Sequence, residues 1–430
     1  MSTFDLLIRG GRVATAGGDP VALDVGIRDG TIVALGRLEP GEARRVVGAE
    51  GLLVLPGVID LHTHLRSTRP EPDLFWNETA SAVAGGVTMV GDFAYPPGTP
   101  YELDFEAKLR RLEAEAACDF CLHTVVKSAA DLERATTRTI KVFFTASGAG
   151  GQTEDALGFL AQAVAEGRQV LAHVEALDDY LAVMRHMTNT SDPGRVHILH
   201  VPHQRFVSLR RGFGAARLTM ETCPHYLMWE AVRDVDGCDV NPAVVACDLW
   251  PELRSGGIDT IGTDHCSYSR EEKGEYGLPG FPGLESALRL IFTYGVQAGR
   301  VSWSDLCRLM STGPARILDL YPRKGAVQVG SDADLVLFDP GYEDVWSGPS
   351  YGRGDFSPYA GLRLAGRVER TLVRGREVYA QGVVDGETRG WGAWQLMPPF
   401  PLPSPRGEGR GCPPKAGGGG ERYGPCLFSK

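Results

Sequence analysis

Apolar runs alternate with helix-like stretches through the middle of the chain, between about residues 56 and 315. Eight of these runs have the length and composition of buried strands. The first ends at His62 and His64, and the others end near Asp92, Val126, Thr145, Val174, Val201, Thr222 and Asp264. Helix-like stretches between them include residues 101–117 and 153–166. Eight such units predict a (β/α)8 barrel of the TIM type, which places its chemistry at the carboxyl ends of the strands.

The sequence pattern differs near both ends of the chain. Short β-like runs with glycine turns make up residues 1–55 and return over residues 316–390, and Asp29-Gly30 between two apolar runs predicts a hairpin. We therefore expect an α/β fold, with a catalytic barrel over residues 56–315 and a small β-sandwich domain built from both termini. Residues 396–430 are rich in proline and glycine and cannot bury a core, which predicts a disordered tail.

Charge and cysteine content exclude several classes of function. The net charge of −10 argues against nucleic acid or an anionic membrane surface as a partner. No apolar run reaches about 18 residues and the start does not resemble a secretory signal, so we expect a cytoplasmic protein without a membrane partner. The nine cysteines lack a disulfide-framework spacing, which fits a reducing compartment. Cys118 and Cys121 form a CxxC pair, which we interpret as two packed thiols; a thiol-redox function would need an exposed thiolate.

Two histidines one residue apart follow the first candidate strand. In an extended backbone, residues i and i+2 point the same way, so the pair could supply half of a metal site. A charged lysine inside an apolar run and further polar residues at strand ends extend the pattern. A single such residue is more often a hydrogen-bonded core residue, but six of them in five of eight strands favour a shared site. The six are His62, His64, Lys141, His173, His200 and Asp264.

The chain resembles the cyclic-amide branch of the amidohydrolase superfamily, which contains hydantoinases, dihydropyrimidinases, allantoinases and dihydroorotases. The resemblance runs from about residue 5 to 385 and rests on PGVIDLHTH at 56–64, GGVTMVGDFA at 85–94, ETCPHYL at 221–227, TDH at 263–265 and GSDADL at 330–335. It implies that His62, His64 and Asp264 bind one divalent metal ion. It also implies that His173 and His200 bind a second ion. Lys141, by the same resemblance, carries a CO2-derived carbamate that bridges the two.

A carbamate suits a buried lysine chemically. An ammonium has no lone pair for a cation, whereas a carbamate offers two anionic oxygens and removes the cost of the buried charge. Two ions about 3.5–4 Å apart can share a water and lower its pKa toward neutrality. We infer hydrolysis of a ring amide, in which the bridging hydroxide attacks the carbonyl carbon and Asp264 carries the proton to the leaving nitrogen. We expect zinc, although manganese, cobalt, nickel and iron also suit these ligands.

The expected substrate is a small cyclic amide of the hydantoin or dihydropyrimidine type, with allantoinase and dihydroorotase activity as alternatives. Arg66 is similar to the arginine with which dihydroorotases hold a substrate carboxylate, and Asn241 resembles their substrate loop. Ser147 stands near a position where hydantoinases use a tyrosine, in a Ser-Gly pair closer to allantoinases. His265 and Pro282 are further candidates for substrate contacts.

The remaining expectations concern the oligomeric state and an alternative, non-catalytic function. The resemblance implies a homodimer or a homotetramer. The alternative from another class is a non-catalytic scaffold relative, but such relatives normally lose metal ligands. This chain keeps all six matching positions.

Overall fold

The amino-terminal part of the chain forms strands β1 to β7. In this computed structural model, which describes residues 3–144, 153–189, 194–213 and 217–395, they span Phe4–Arg9, Arg12–Thr15, Gly18–Ala22, Asp24–Arg28, Thr31–Gly36, Ala43–Gly48 and Leu53–Pro56. Strands β5, β4, β1 and β6 form a four-stranded sheet in that order. The predicted hairpin is present between β4 and β5, where Asp29 and Gly30 both have positive φ, as a tight two-residue turn requires.

The middle of the chain forms a curled parallel sheet. Its strands β8 to β16 span Val58–His64, Val87–Ala94, Asp119–Val126, Thr139–Phe144, Gln169–Val174, Arg195–Ile198, Leu218–Thr222, Thr260–Ile261 and His265–Cys266. Strands β8 to β14 pair in sequence order with parallel register. The last strand is in two pieces, since β15 pairs with β14 and β16 pairs with β8. Residues 260–266 therefore connect the two edges of the sheet.

Strands β17 to β20 return to the amino-terminal region. They span Leu335–Val345, Arg363–Val373, Arg376–Ala380 and Val383–Val384. With β7, β2 and β3 they form a seven-stranded sheet in the order β20-β19-β18-β17-β7-β2-β3, so one sheet combines strands from before and after the parallel sheet in sequence. A buried cluster that includes Leu6, Ile27 and Leu335 joins residues of this sheet to the four-stranded one.

Helices connect the strands of the parallel sheet. Helices α1 to α13 span Leu74–Ala84, Phe105–Glu115, Ala129–Arg134, Thr153–Ala165, Leu177–Asn189, Gln204–Phe213, Pro224–Leu227, Trp229–Val232, Trp250–Arg254, Arg270–Tyr276, Ala287–Ile291, Trp303–Cys307 and Gly313–Ile317. Short π-helical turns follow α11 and α12 at Phe292–Gln297 and Arg308–Thr312, and 3-10 turns lie at Pro40–Glu42 and Gly386–Thr388. None of the helices in the described part of the chain has the length and apolar character needed to cross a membrane.

A buried lysine links the parallel sheet to the terminal strands. The Lys324 ammonium donates to Asp119 Oδ2 at 2.7 Å and to Asp334 Oδ2 at 2.6 Å, and all three side chains are almost fully buried. Asp119 begins β10 and Asp334 precedes β17. One cation therefore joins the amino end of a strand in the middle of the chain to the first strand of its carboxyl-terminal part.

The predicted α/β fold with a TIM-like parallel sheet is confirmed. Predicted strand ends at Val126, Val174 and Thr222 coincide with the observed ends of β10, β12 and β14. The predicted helix over 101–117 is shorter, because it begins after the Asp104 cap, whose side chain accepts from the backbone N–H of Ala107. The tail predicted for residues 396–430 lies outside the described residues.

Candidate metal centre

Three of the predicted metal ligands meet at the carboxyl end of the first strand of the parallel sheet. His62 and His64 project together from β8, and their Nε2 atoms each lie 3.1 Å from Asp264 Oδ1. Asp264 occupies the break between β15 and β16 with a φ of +51°, a left-handed conformation uncommon outside glycine. Within the described residues, this trio is also the one group of ligand atoms close enough together to hold a metal ion.

The other three predicted ligands adjoin this trio. Lys141, in the middle of β11, places its Nζ 3.4 Å from His62 Nε2. His173 Nδ1 and His200 Nε2 face each other at 2.8 Å, and the rings of His62 and His200 lie 5.3 Å apart. The structure thus brings all six side chains predicted from the sequence together at one end of the sheet.

The four histidines are held in the neutral form that binds cations. Burial lowers the pKa of His62, His64 and His200 well below the usual value, and lowers that of His173 to about 4. Neutral imidazole keeps a lone pair on one ring nitrogen. Since His173 Nδ1 and His200 Nε2 are both buried and face each other, at least one of these nitrogens offers a lone pair toward the other.

Lys141 is a buried cation that forms no ion pair with any carboxylate in the described part of the chain. It is 2% exposed, and its ammonium lies 4.1 Å from the centroid of the Phe93 ring. Burial lowers its pKa to about 8, against the opposing effect of the Asp264 carboxylate. Among the described residues, no carboxylate forms an ion pair with Lys141, so the ammonium form is poorly stabilised here.

Carboxylates behind the histidines fix their orientation. Glu221 Oε1 lies 2.7 Å from His62 Nδ1 and accepts a hydrogen bond from the backbone N–H of His200 at 3.4 Å. Glu175 Oε1 lies 2.9 Å from His173 Nε2. With these outer nitrogens engaged, His62 Nε2 and His173 Nδ1 are left to face the centre. This is the arrangement in which histidines bind metals, and the donor set fits a pair of divalent ions.

Asp60 and Thr263 brace the loop that carries Asp264. The Thr263 hydroxyl donates to Asp60 Oδ2 at 2.5 Å, and Asp60 Oδ1 accepts from the backbone N–H of His62 at 3.1 Å. Burial raises the pKa of Asp60 to about 7, and the hydrogen bonds from Thr263 and His62 oppose this rise. This carboxyl therefore ties the end of β8 to the break in the last strand.

A cavity of about 460 Å³ opens beside the six residues. Arg66 and Asn241, both predicted to contact substrate, line it together with five of the six predicted ligands. The sixth, His62, lies behind them and is fully buried. The cavity is large enough for a small cyclic molecule.

Two of the predicted substrate contacts lie elsewhere, and a third cannot be placed. His265 is buried with Nε2 2.9 Å from Glu78 Oε2 and with Nδ1 accepting from the backbone N–H of Gly283. The strand pairing is broken at Asp264, and His265 begins the next piece of strand, where its ring faces Glu78 and Gly283. Pro282 is also buried and, like His265, is not among the residues that line the cavity. Ser147 lies outside the described residues.

The structure adds functional candidates that sequence reasoning did not assign. Glu221 and Asp60 both lie in the quoted motifs. A buried carboxylate inside an apolar strand (Asp60 in β8) or near its end (Glu221 in β14) is the signal that could have identified them. Glu102, Lys127 and Tyr268 also line the cavity. They lie in loops between strands and helices, where sequence periodicity does not predict which way a side chain points.

Cys118 and Cys121 have the character of packed thiols. Both side chains are buried, and burial raises the pKa of each to about 12. A redox-active cysteine needs a thiolate near neutral pH, so the pair is poorly suited to that chemistry.

Comparison with known proteins identifies the family. The model of the amidohydrolase family matches residues 53–378. The chain belongs to the amidohydrolase family. Within this family it is 33% identical to an allantoinase of Rubrobacter xylanophilus, over 90% of this chain and 97% of that protein. It is 30% identical to a D-hydantoinase of Ralstonia pickettii, over 89% and 97% of the two chains.

Solved structures agree with the family assignment. The crystal structure of a dihydropyrimidinase from Brevibacillus agri matches with a TM-score of 0.80 at 27% identity, covering 92% of this chain and 99% of that one. Relatives and structural neighbours are thus named as hydrolases of cyclic amides. The resemblance inferred from the motifs is confirmed.

Proposed function

We propose that this amidohydrolase opens the ring of a small cyclic amide by hydrolysis, of the hydantoin or dihydropyrimidine type. The observation that carries the proposal is the convergence of four neutral histidines, Asp264 and Lys141 beside one cavity. The names of the relatives support the same reaction class. Allantoin is a second candidate substrate because the R. xylanophilus relative is named as an allantoinase.

The six side chains would hold two divalent ions, with zinc as the expected metal. His62, His64 and Asp264 would bind one ion, and His173 and His200 the other. Lys141 would bridge them as a carbamate, which would remove the cost of burying its ammonium. Ions bound there would lower the pKa of a shared water and polarise the ring carbonyl.

The protein side of the reaction centres on Asp264. Burial raises the pKa of Asp264 to about 7, Lys141 opposes that rise, and bound metal ions would lower the pKa as well. We assign Asp264 the transfer of one proton from the attacking water to the leaving nitrogen. In the reaction, a water oxygen bonds to the ring carbonyl carbon, Asp264 takes the water proton, and the carbon–nitrogen bond breaks. Asp264 then delivers this proton to the leaving nitrogen, which becomes the terminal nitrogen of a ureido group. The other water proton stays on the new carboxylic acid, which becomes a carboxylate when it releases that proton to solvent.

Arg66 and Asn241 would contact the ring, since both line the cavity. The roles of His265, Pro282 and Ser147 in substrate binding remain predictions. We also propose that the four-stranded and seven-stranded sheets form a β-sandwich domain of residues 1–55 and 316–390, which their shared apolar cluster supports. A homodimer or homotetramer and a cytoplasmic location remain predictions of the same kind.

A substrate panel with metal quantified in the same preparation tests the proposal. Hydantoin, dihydrouracil, allantoin and dihydroorotate would be compared by kcat/KM. Ring opening of at least one of them, lost on chelation and restored by zinc, is the expected result. A protein that binds no metal after supply of zinc and bicarbonate, and opens none of the rings, would instead be a scaffold relative.

A further inference from the structure

One wall of the cavity holds an arginine whose charge is already matched. Arg66 Nη1 donates to Glu102 Oε1 at 2.7 Å, and the two side chains are only 16% and 5% exposed. The other terminal nitrogen, Nη2, lies 3.5 Å from Cys266 Sγ, and the guanidinium stacks 4.8 Å from the centroid of the Tyr268 ring. Both terminal nitrogens of Arg66 are therefore engaged by protein.

The same carboxylate faces a second cation. Lys127 lines the cavity with its ammonium 5.4 Å from the centroid of the Tyr95 ring. Burial lowers the pKa of Lys127, and the nearby carboxylates of Glu102 and Asp131 act in the opposite direction. Asp131 is itself paired with Arg134 at 2.9 Å. Glu102 is thus paired directly with Arg66 and also acts electrostatically on Lys127.

This pairing decides what Arg66 can recognise. A free guanidinium binds a carboxylate through two parallel N–H donors, which is the strongest recognition that arginine offers. Here an incoming anion would have to displace Glu102 or lie beside it in a largely desolvated place, and like charges repel strongly there. A neutral ring neither has to displace Glu102 nor is repelled by its charge.

We propose that Glu102 is a specificity-determining residue that makes the cavity select electrically neutral cyclic amides and reject rings that carry a carboxylate. The inference rests on the proposed ring-opening function and narrows its substrate class. Glu102 acts by occupying Arg66, so it is a positioning residue for that arginine. Hydantoin, dihydrouracil and allantoin fall within the selected class, whereas dihydroorotate falls outside it.

The unmodified enzyme provides the first test. Dihydroorotate is dihydrouracil with an added ring carboxylate, so the pair isolates the effect of that charge. The zinc-loaded protein should open dihydrouracil with a kcat/KM at least 100-fold above that for dihydroorotate. Equal or greater turnover of dihydroorotate overturns the inference while leaving ring-opening activity intact. Failure to open any neutral ring would count against the proposed function instead.

Variants provide the second test. Glu102→Gln keeps the size of the side chain and releases the charge of Arg66, so the ratio of kcat/KM for dihydroorotate to that for dihydrouracil should rise about tenfold or more. The double variant Glu102→Gln with Arg66→Gln should lose that gain. Glu106→Gln removes the same charge from an exposed position outside this cavity, and its ratio should equal that of the wild type. An unchanged ratio in Glu102→Gln, in protein with a native circular dichroism spectrum, overturns the inference.

Discussion

Replacing Glu221 by glutamine should weaken metal binding although it leaves all six predicted metal ligands in place. Glu221 is fully buried, and its Oε1 lies 2.7 Å from His62 Nδ1 while also accepting from the backbone of His200. Its side chain therefore touches one histidine assigned to each ion. Burial raises the pKa of Glu221 to about 8, and Lys141 opposes that rise, as bound cations also would.

The size of the effect follows from the change of acceptor. A hydrogen bond to a charged group contributes about 1.5–3 kcal/mol, and one to a neutral group contributes about 0.5–1.5 kcal/mol. Glutamine can keep an acceptor oxygen opposite His62 but not the charge, so the loss is about 1–1.5 kcal/mol. That corresponds to zinc binding about tenfold weaker, within the range known for residues that orient metal-binding histidines.

Competition with a chromophoric chelator would measure zinc affinity of the wild type and of Glu221→Gln. Glu78→Gln is the matched control, because Glu78 is also a buried carboxylate on a histidine, 2.9 Å from His265 Nε2, but outside the cavity. The control should lose thermal stability and keep its zinc affinity. Equal zinc affinity in wild type and Glu221→Gln, or an equal loss in both variants, would refute the reasoning.

Three further predictions concern the bridge, the buried lysine and acid stability. Lys141→Ala should lose most bound metal and activity, and short carboxylic acids should restore part of kcat/KM by supplying the missing oxygens. Lys324→Met should lower the free energy of unfolding in urea by about 3 kcal/mol, because it removes the ammonium that Asp119, Asp332 and Asp334 share, while Asp119 keeps its ion pair with Arg374. Burial raises the pKa of Glu272, but hydrogen bonds from Thr68, Ser269 and Arg353 outweigh it and hold the pKa at about 2. The ionised Glu272 therefore contributes its full stabilisation above pH 4.5, the ordinary pKa, and this contribution is lost as the pH falls toward 2. In Glu272→Gln, the free energy of unfolding should fall less steeply between pH 4.5 and pH 2.

Neighbouring residues provide controls for these variants. Arg323→Met removes an exposed cation from Asp332, which keeps its ion pair with Lys324, and should change stability by no more than about 1 kcal/mol. Glu271→Gln removes a similarly exposed partner of Arg69 and should leave the acid window unchanged. Full activity of Lys141→Ala would contradict the bridging role.

Much of the parallel sheet and its polar ends could be predicted because buried strands have a strong local signature. The apolar run before His62 and His64 fixes which way both side chains point, since the period of a strand is two. The same period places Lys141 on the inner face of its strand. These residues could be identified without knowing any tertiary contact.

The partners of those residues could not be predicted in the same way. Arg66 pairs with Glu102 across 36 residues, through a loop whose path depends on the packing of the whole sheet. His265 directly follows a metal-ligand candidate, but the break in the last strand turns it toward Glu78. Local pattern gives the position of a polar residue along a strand, whereas its partner is set by tertiary structure.

The divided last strand gives Asp264 two tasks at once. One piece, β15, pairs with β14, and the other, β16, pairs with β8 at the opposite edge of the parallel sheet. Asp264 lies between the two pieces, so the residue that would bind a cation also connects the two edges of the sheet. A metal ion bound by Asp264 and the β8 histidines would then stabilise the junction between the two edges of the sheet. If Asp264 acts as proposed, the chemistry of the site and the stability of the parallel sheet would depend on the same residue.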